Sequence, residues 1–308
     1  MKSEKEPKML IVEELIDDLT NNLNEIEKYI KCTDAENHKC NFIYVYSLFE
    51  GALWQLAKSV LFAFNEKLTE NNAKLQLGEG RDLSFDGGEM IDSFIEEKLR
   101  EVCSGNLARF IGDIMQIIGV RVNYEKEIFY LISKTRNQIV HTNTAKHYNE
   151  YNRASLPYHT TYDEAEIKLY MKELREFLND TILSVSAVYK DYTYKKLLKE
   201  SWEYTVGGYL KFDDIVKFEK SSFGGNRTTV GLDIKNVERA SKGFSSSEKT
   251  TLAFWLHQYS DTINDQYLKF HDVRPIVSIS SPHKLIYLIK LFERFPFLMN
   301  GHDFGESK

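Results

Sequence analysis

The stretch NFIYVYSLFEGALWQLAKSVLFAF, residues 41–64, decides how the rest of the chain is read. Its apolar side chains run around most of a helical circumference, which is what a helix enclosed by others requires. Ser47, Glu50, Gln55 and Lys58 interrupt the run, so it reads as a buried bundle helix and not as a membrane span. A helix of that kind needs amphipathic neighbours, and the flanking sequence supplies them.

Upstream, residues 9–31 carry Leu15, Leu19, Leu23, Ile26 and Ile30 at helical spacing. Downstream, residues 65–88 hold the loop signals LGEGRD and FDGG. Two shorter helical patterns follow, over 88–101 and 105–118, and Ile-Gly-Val at 118–120 ends the second. Residues 123–141 predict the next helix, with Asn123 as N-cap and Glu125 and Glu127 in its first turn. The polar segment 143–161 contains Pro157 and reads as a loop. Residues 161–192 predict a long final helix, with Thr161 and Glu164 as a capping box. The expected fold class is mainly α, an antiparallel helical bundle over residues 1–200.

After residue 200 the character changes. Residues 209–222 and 227–237 read as strands separated by the turn FGGN, 245–265 as a capped helix, 274–280 as a short strand and 281–295 as a last helix. Residues 201–308 are therefore expected to form a small α+β C-terminal accessory domain. The glycine-rich SSFGGNR at 221–227 lacks the P-loop lysine pattern and reads as a hairpin turn.

Composition narrows the function classes. Of 308 residues, 42% are hydrophobic and 13% aromatic, enough for a sizeable core. A formal charge of −6 argues against a bulk electrostatic nucleic-acid binder, though not against RNA held in a local positive cleft. Cys32, Cys40 and Cys103 form no CxxC pair, and His257, His271 and His283 have no ligand spacing. No metal or cofactor is expected. The start, MKSEKEPKML, lacks a long apolar segment, so a cytoplasmic setting is expected.

The residues that carry chemistry lie in TRNQIVHTN, 135–143. On a helical wheel Ile128, Leu131, Ile132, Thr135 and Ile139 form the expected core stripe, and Tyr130, Lys134, Asn137 and His141 the opposite face. Arg136 falls at the edge between them. A histidine near the expected helix C-terminus would have its imidazolium favoured by the helix dipole. Histidine moves protons, arginine grips phosphate with a planar charged fork, and RNA brings its own 2′-OH nucleophile. One helix sets Arg136 and His141 roughly 140° apart, so a second copy packed across a two-fold axis would complete the site. That predicts a homodimer.

The pattern R-N-x-x-x-H on a late helix of an α-helical bundle resembles the signature of the HEPN superfamily. The resemblance covers residues 9–195 and transfers to Arg136, Asn137 and His141. It implies a metal-independent endoribonuclease that works as a dimer and leaves a 2′,3′-cyclic phosphate. It also implies an antiviral-defence, abortive-infection or toxin setting, with an antitoxin or trigger-sensing partner and no membrane. Some members carry a tyrosine two residues past the histidine; here Asn143 stands there, so control by nucleotide transfer to that tyrosine is not implied. Arg153 and His159 have a permitted spacing, but Pro157 separates them. Supporting candidates are Glu50, the odd charge in SLFEGALW, and Lys134 and Tyr130, which share the motif's face. The alternative is a non-catalytic HEPN-like module that binds nucleotide or a partner through the same face.

Overall fold

The structure is a computed structural model. It describes residues 6–32, 36–64, 67, 95–101, 103, 105–149, 163–207, 210–220, 228–259, 282–296 and 298–299, with the helical backbone alone over 141–149. Among the described residues the chain is mainly helical with one small two-stranded sheet. It divides into two compact units, one within Leu15–Leu83 and Ile91–Lys190, the other within Met1–Glu14, Ser84–Met90 and Asp191–Lys308.

The first unit contains α1 (Val12–Lys31) from Leu15 onward, α2 (His38–Ala63), α3 (Leu107–Ile118), α4 (Lys126–Asn149) and α5 (Glu164–Tyr189). As its all-round apolar pattern requires, α2 is central and packs on α3, α4 and α5. Phe49 of α2, Phe129 of α4 and Phe177 of α5 meet with ring centroids 5.4–6.3 Å apart, and Tyr124 closes the cluster edge-on. Aromatic pairs in such tilted geometry contribute about 0.5–1.5 kcal/mol each beyond their burial. At the rim, Arg175 of α5 reaches Glu27 of α1 at 2.6 Å, and Lys58 of α2 reaches Glu96 at 2.9 Å.

Several helix ends have a local cause. Asn106 caps α3, its side-chain oxygen accepting from the Arg109 amide at 3.0 Å. Gly119 ends α3 in the left-handed region at φ 69°, where a Cβ would be strained. Three boundaries differ from the sequence reading. The helix after α3 starts at Lys126, so Asn123 is not its N-cap. It also runs on through the polar 143–149, because that segment contains no proline or glycine to stop it. The N-cap of α5 is Asp163, whose carboxylate accepts from the Ala165 amide at 3.1 Å, in place of the Thr161 capping box.

The second unit contains α6 (Tyr194–Thr205), α7 (Phe212–Ile215), β1 (Val216–Lys220), β2 (Thr228–Leu232), α8 (Ile234–Ser241), α9 (Ser246–Tyr259) and α10 (Pro282–Arg294). The strands pair antiparallel, Val216 opposite Leu232 and Lys220 opposite Thr228. Each strand is shorter than its sequence suggested: 212–215 is a helical turn, and Asp233 ends β2 by capping α8 through the Asn236 amide. The segments FGGN and 274–280 lie outside the described residues. Trp202 and Trp255 are fully buried with centroids 5.4 Å apart. Their indole N–H groups donate to the Leu210 carbonyl and the Thr205 hydroxyl at 2.9 and 3.0 Å. Ser245 and Glu248 form the capping box of α9. Among the described residues no helix is long and apolar enough to cross a membrane.

Candidate functional site

The face that α4 turns to the bundle differs from the wheel. Phe129, Ile132, Ser133, Thr135 and Ile139 are buried, whereas Leu131, expected in the core stripe, is 43% exposed. Arg136 shares the helical phase of Phe129, Ile132 and Ser133, so it belongs to the inward side and not to the edge. A guanidinium there needs a polar or aromatic reception, and α2 provides it. The Arg136 guanidinium lies 5.4 Å from the centre of the Tyr46 ring. Its Nη1 donates to Asn137 Oδ1 at 3.0 Å. Among the described residues its buried Nε has no hydrogen-bond partner.

Glu50 stands one turn beyond Tyr46 on α2. The Tyr46 hydroxyl lies near both Glu50 and Ser133, between α2 and α4. Burial pushes the Glu50 carboxyl above its ordinary range, and its bond to Tyr46 and the charge of Arg136 only partly offset that. Burial, followed by the nearby Glu50 charge, pushes the Tyr46 phenol upward, so Tyr46 remains a neutral donor. Glu50 and Arg136 make no ion pair within 4.0 Å among the described residues. The sequence singled out Glu50 and missed Tyr46; the i,i+4 spacing of the two on α2 was the available signal.

On the outer side of α4, Tyr130, Lys134 and Asn137 are exposed, Tyr130 by 53%. With Ser133 and Gln138 of α4 and Asn106 at the head of α3, they line an open cleft of about 330 Å³. Asn106, Ser133 and Gln138 were not among the sequence candidates. The cleft follows from the packing of α3 on α4, which periodicity cannot supply.

The backbone at His141 is helical, one turn after Asn137, and its side chain lies outside the described residues. Because α4 continues to Asn149, His141 sits two turns before the helix end, and the expected dipole effect on its imidazole does not follow. Asn143 and Tyr148 likewise fall on the helical backbone of α4, and Arg153 and His159 lie outside the described residues. Among the described residues no three His, Cys, Asp or Glu side chains converge as a metal site. No protein-family model matches the chain, and neither a curated protein nor a solved structure does.

Proposed function

We propose that this chain is a HEPN-like, metal-independent endoribonuclease whose site is completed by a second copy. The observation that carries this reading is the state of Arg136. Its guanidinium is positioned by Tyr46 and Asn137, yet its buried Nε donor has no partner among the described residues. An orphaned buried donor costs about 1–3 kcal/mol. A phosphate oxygen brought to that planar fork would satisfy it.

In the reaction, Arg136 neutralises the scissile phosphate and the charge that develops on it. One His141 takes the proton of the 2′-OH, and O2′ attacks phosphorus. The P–O5′ bond breaks, and the His141 of the other copy protonates the departing O5′. The products are a 2′,3′-cyclic phosphate and a 5′-hydroxyl. Asn137, hydrogen-bonded to Arg136, holds the fork in place. The setting is antiviral defence or a toxin–antitoxin pair, by resemblance of the motif alone.

A non-catalytic binding module is the second reading, and the inward placement of Arg136 favours it, since within one chain Arg136 and the His141 position do not share a face. One experiment separates them: RNA cleavage in EDTA by wild type, Arg136→Ala, His141→Ala and an equimolar mixture of the two variants, with product ends read chemically. The nuclease reading expects cyclic phosphate from wild type and none from either variant or from the mixture, whose mixed dimers retain only one of the two histidines. Binding of RNA without any cyclic phosphate from a folded wild-type dimer selects the binding module.

A further inference from the structure

We propose that Glu50 makes the Arg136 site selective for charge, so that it takes a phosphodiester, a monoanion, and disfavours a phosphomonoester, a dianion. The inference rests on the reading of Arg136 as the phosphate-binding residue, and it names the class of phosphate that residue receives.

One cation and one carboxyl are gathered around a single ring. Tyr46 is buried, and the Arg136 guanidinium lies 5.4 Å from the centre of its ring. Glu50 follows Tyr46 by four residues on α2, so it stands on the same side of that helix one turn on. It is partly buried, and the charge of Arg136 bears on it. The two make no ion pair within 4.0 Å among the described residues. The fork therefore stays open, while the carboxylate acts on anything held there from a distance.

When Glu50 is ionised, it and Arg136 sum to zero formal charge. A second copy adds one more of each and leaves that sum unchanged. An anion that enters must shed water, a cost that grows roughly with the square of its charge. The attraction of Arg136 grows only in proportion to that charge, and Glu50 subtracts from it in the same proportion. A dianion thus meets about four times the hydration cost of a monoanion for about twice the attraction. Phosphates inside an RNA chain carry one charge, whereas terminal phosphates carry nearly two at neutral pH. The site is then suited to internal phosphates and rejects phosphorylated chain ends.

Glu50→Gln is the decisive variant, since glutamine keeps the shape of the side chain and removes its charge. The probes are 2′-O-methyluridine 3′-phosphate and its methyl ester, which differ by one methyl group and one charge. Neither can be cleaved, because O2′ is blocked. Affinities are measured at low ionic strength and pH 8, above the second ionisation of a phosphomonoester at about 6 and the ordinary carboxylate range. Wild type should bind the ester more tightly than the free phosphate. Glu50→Gln should raise affinity for the ester by about 2- to 5-fold and for the free phosphate by the square of that factor, about 4- to 25-fold. Arg136→Ala should lose both. Glu127→Gln, an equal change of net charge on the exposed first turn of α4, should leave the ratio as it is. A wild type that prefers the free phosphate, binding of neither probe, or a ratio untouched by Glu50→Gln would overturn the proposal. RNA cleavage by a protein without this selectivity would overturn it while leaving the nuclease reading intact. Ester-selective binding by a protein that cleaves no RNA would do the reverse.

Discussion

Replacing Arg136 with methionine tests whether this residue serves the fold or the site. Methionine keeps an unbranched stem and a polarizable sulfur against the Tyr46 ring, 5.4 Å from the present guanidinium. The substitution removes a cation–ring contact of about 0.5–2 kcal/mol and a side-chain hydrogen bond to Asn137 of about 0.5–1.5 kcal/mol. It also removes the orphaned Nε, a relief of about 1–3 kcal/mol. Losses and gain nearly cancel. The variant should fold within about 2 kcal/mol of wild type, a shift in Tm of no more than roughly 4–8 °C. On the proposed nuclease reading, cleavage of RNA should fall by about 100- to 1000-fold, the usual consequence of losing one donor to a developing oxyanion. Thermal unfolding and single-turnover cleavage on the same preparations check both halves. Destabilisation beyond about 4 kcal/mol would make Arg136 a strut of the bundle, and undiminished cleavage would remove it from the site; either refutes the reasoning.

Glu50→Gln should change how stability depends on pH. Burial raises the folded-state pKa of Glu50, so its contribution is fully present below the ordinary carboxylate range and is lost as pH rises through the raised value. Denaturant titrations from pH 4 to 8 should therefore show the glutamine variant gaining on wild type with rising pH; parallel profiles would contradict the burial argument. Gly119→Ala should destabilise the first unit by about 1–2 kcal/mol, since Gly119 holds φ 69° at the end of α3 and its new Cβ would come within 3.3 Å of Lys67 Nζ. An unchanged Tm would show that the left-handed cap carries no strain penalty.

The central helix was legible because α2 is apolar on nearly every side, a pattern that few environments other than a bundle centre can satisfy. The face of α4 was not, and the reason lies in its partners. A hydrophobicity wheel puts Leu131 inside and Arg136 at the margin. In the fold α4 rotates so that Arg136 lies over the Tyr46 ring and Ser133 is buried near Tyr46 and Glu50 of another helix. Those polar receptions depend on tertiary packing, and they reverse the local preference. The same holds for Asn106. Its capping role is implied by its place before the apolar run of α3, but its nearness to Lys134 and Asn137 arises only when α3 packs on α4.

The arrangement around Tyr46 bears most on whether the site is built for a ligand. Two costs sit on either side of one ring: the Glu50 carboxyl, raised by burial, and the Arg136 Nε, buried without a partner. A direct Glu50–Arg136 ion pair would relieve both, since it would give the carboxylate a cation and the guanidinium an acceptor. Instead Tyr46 stands near both, with its ring under the Arg136 guanidinium. A bundle selected for stability alone would close that gap. Keeping the guanidinium oriented but incompletely satisfied is the expected compromise where an arginine must receive an incoming anion, because a fork already bridged to a carboxylate would have to break that bridge first. The separation of Glu50 from Arg136 by Tyr46 leaves the fork unbridged, which is what the proposed reading of Arg136 requires.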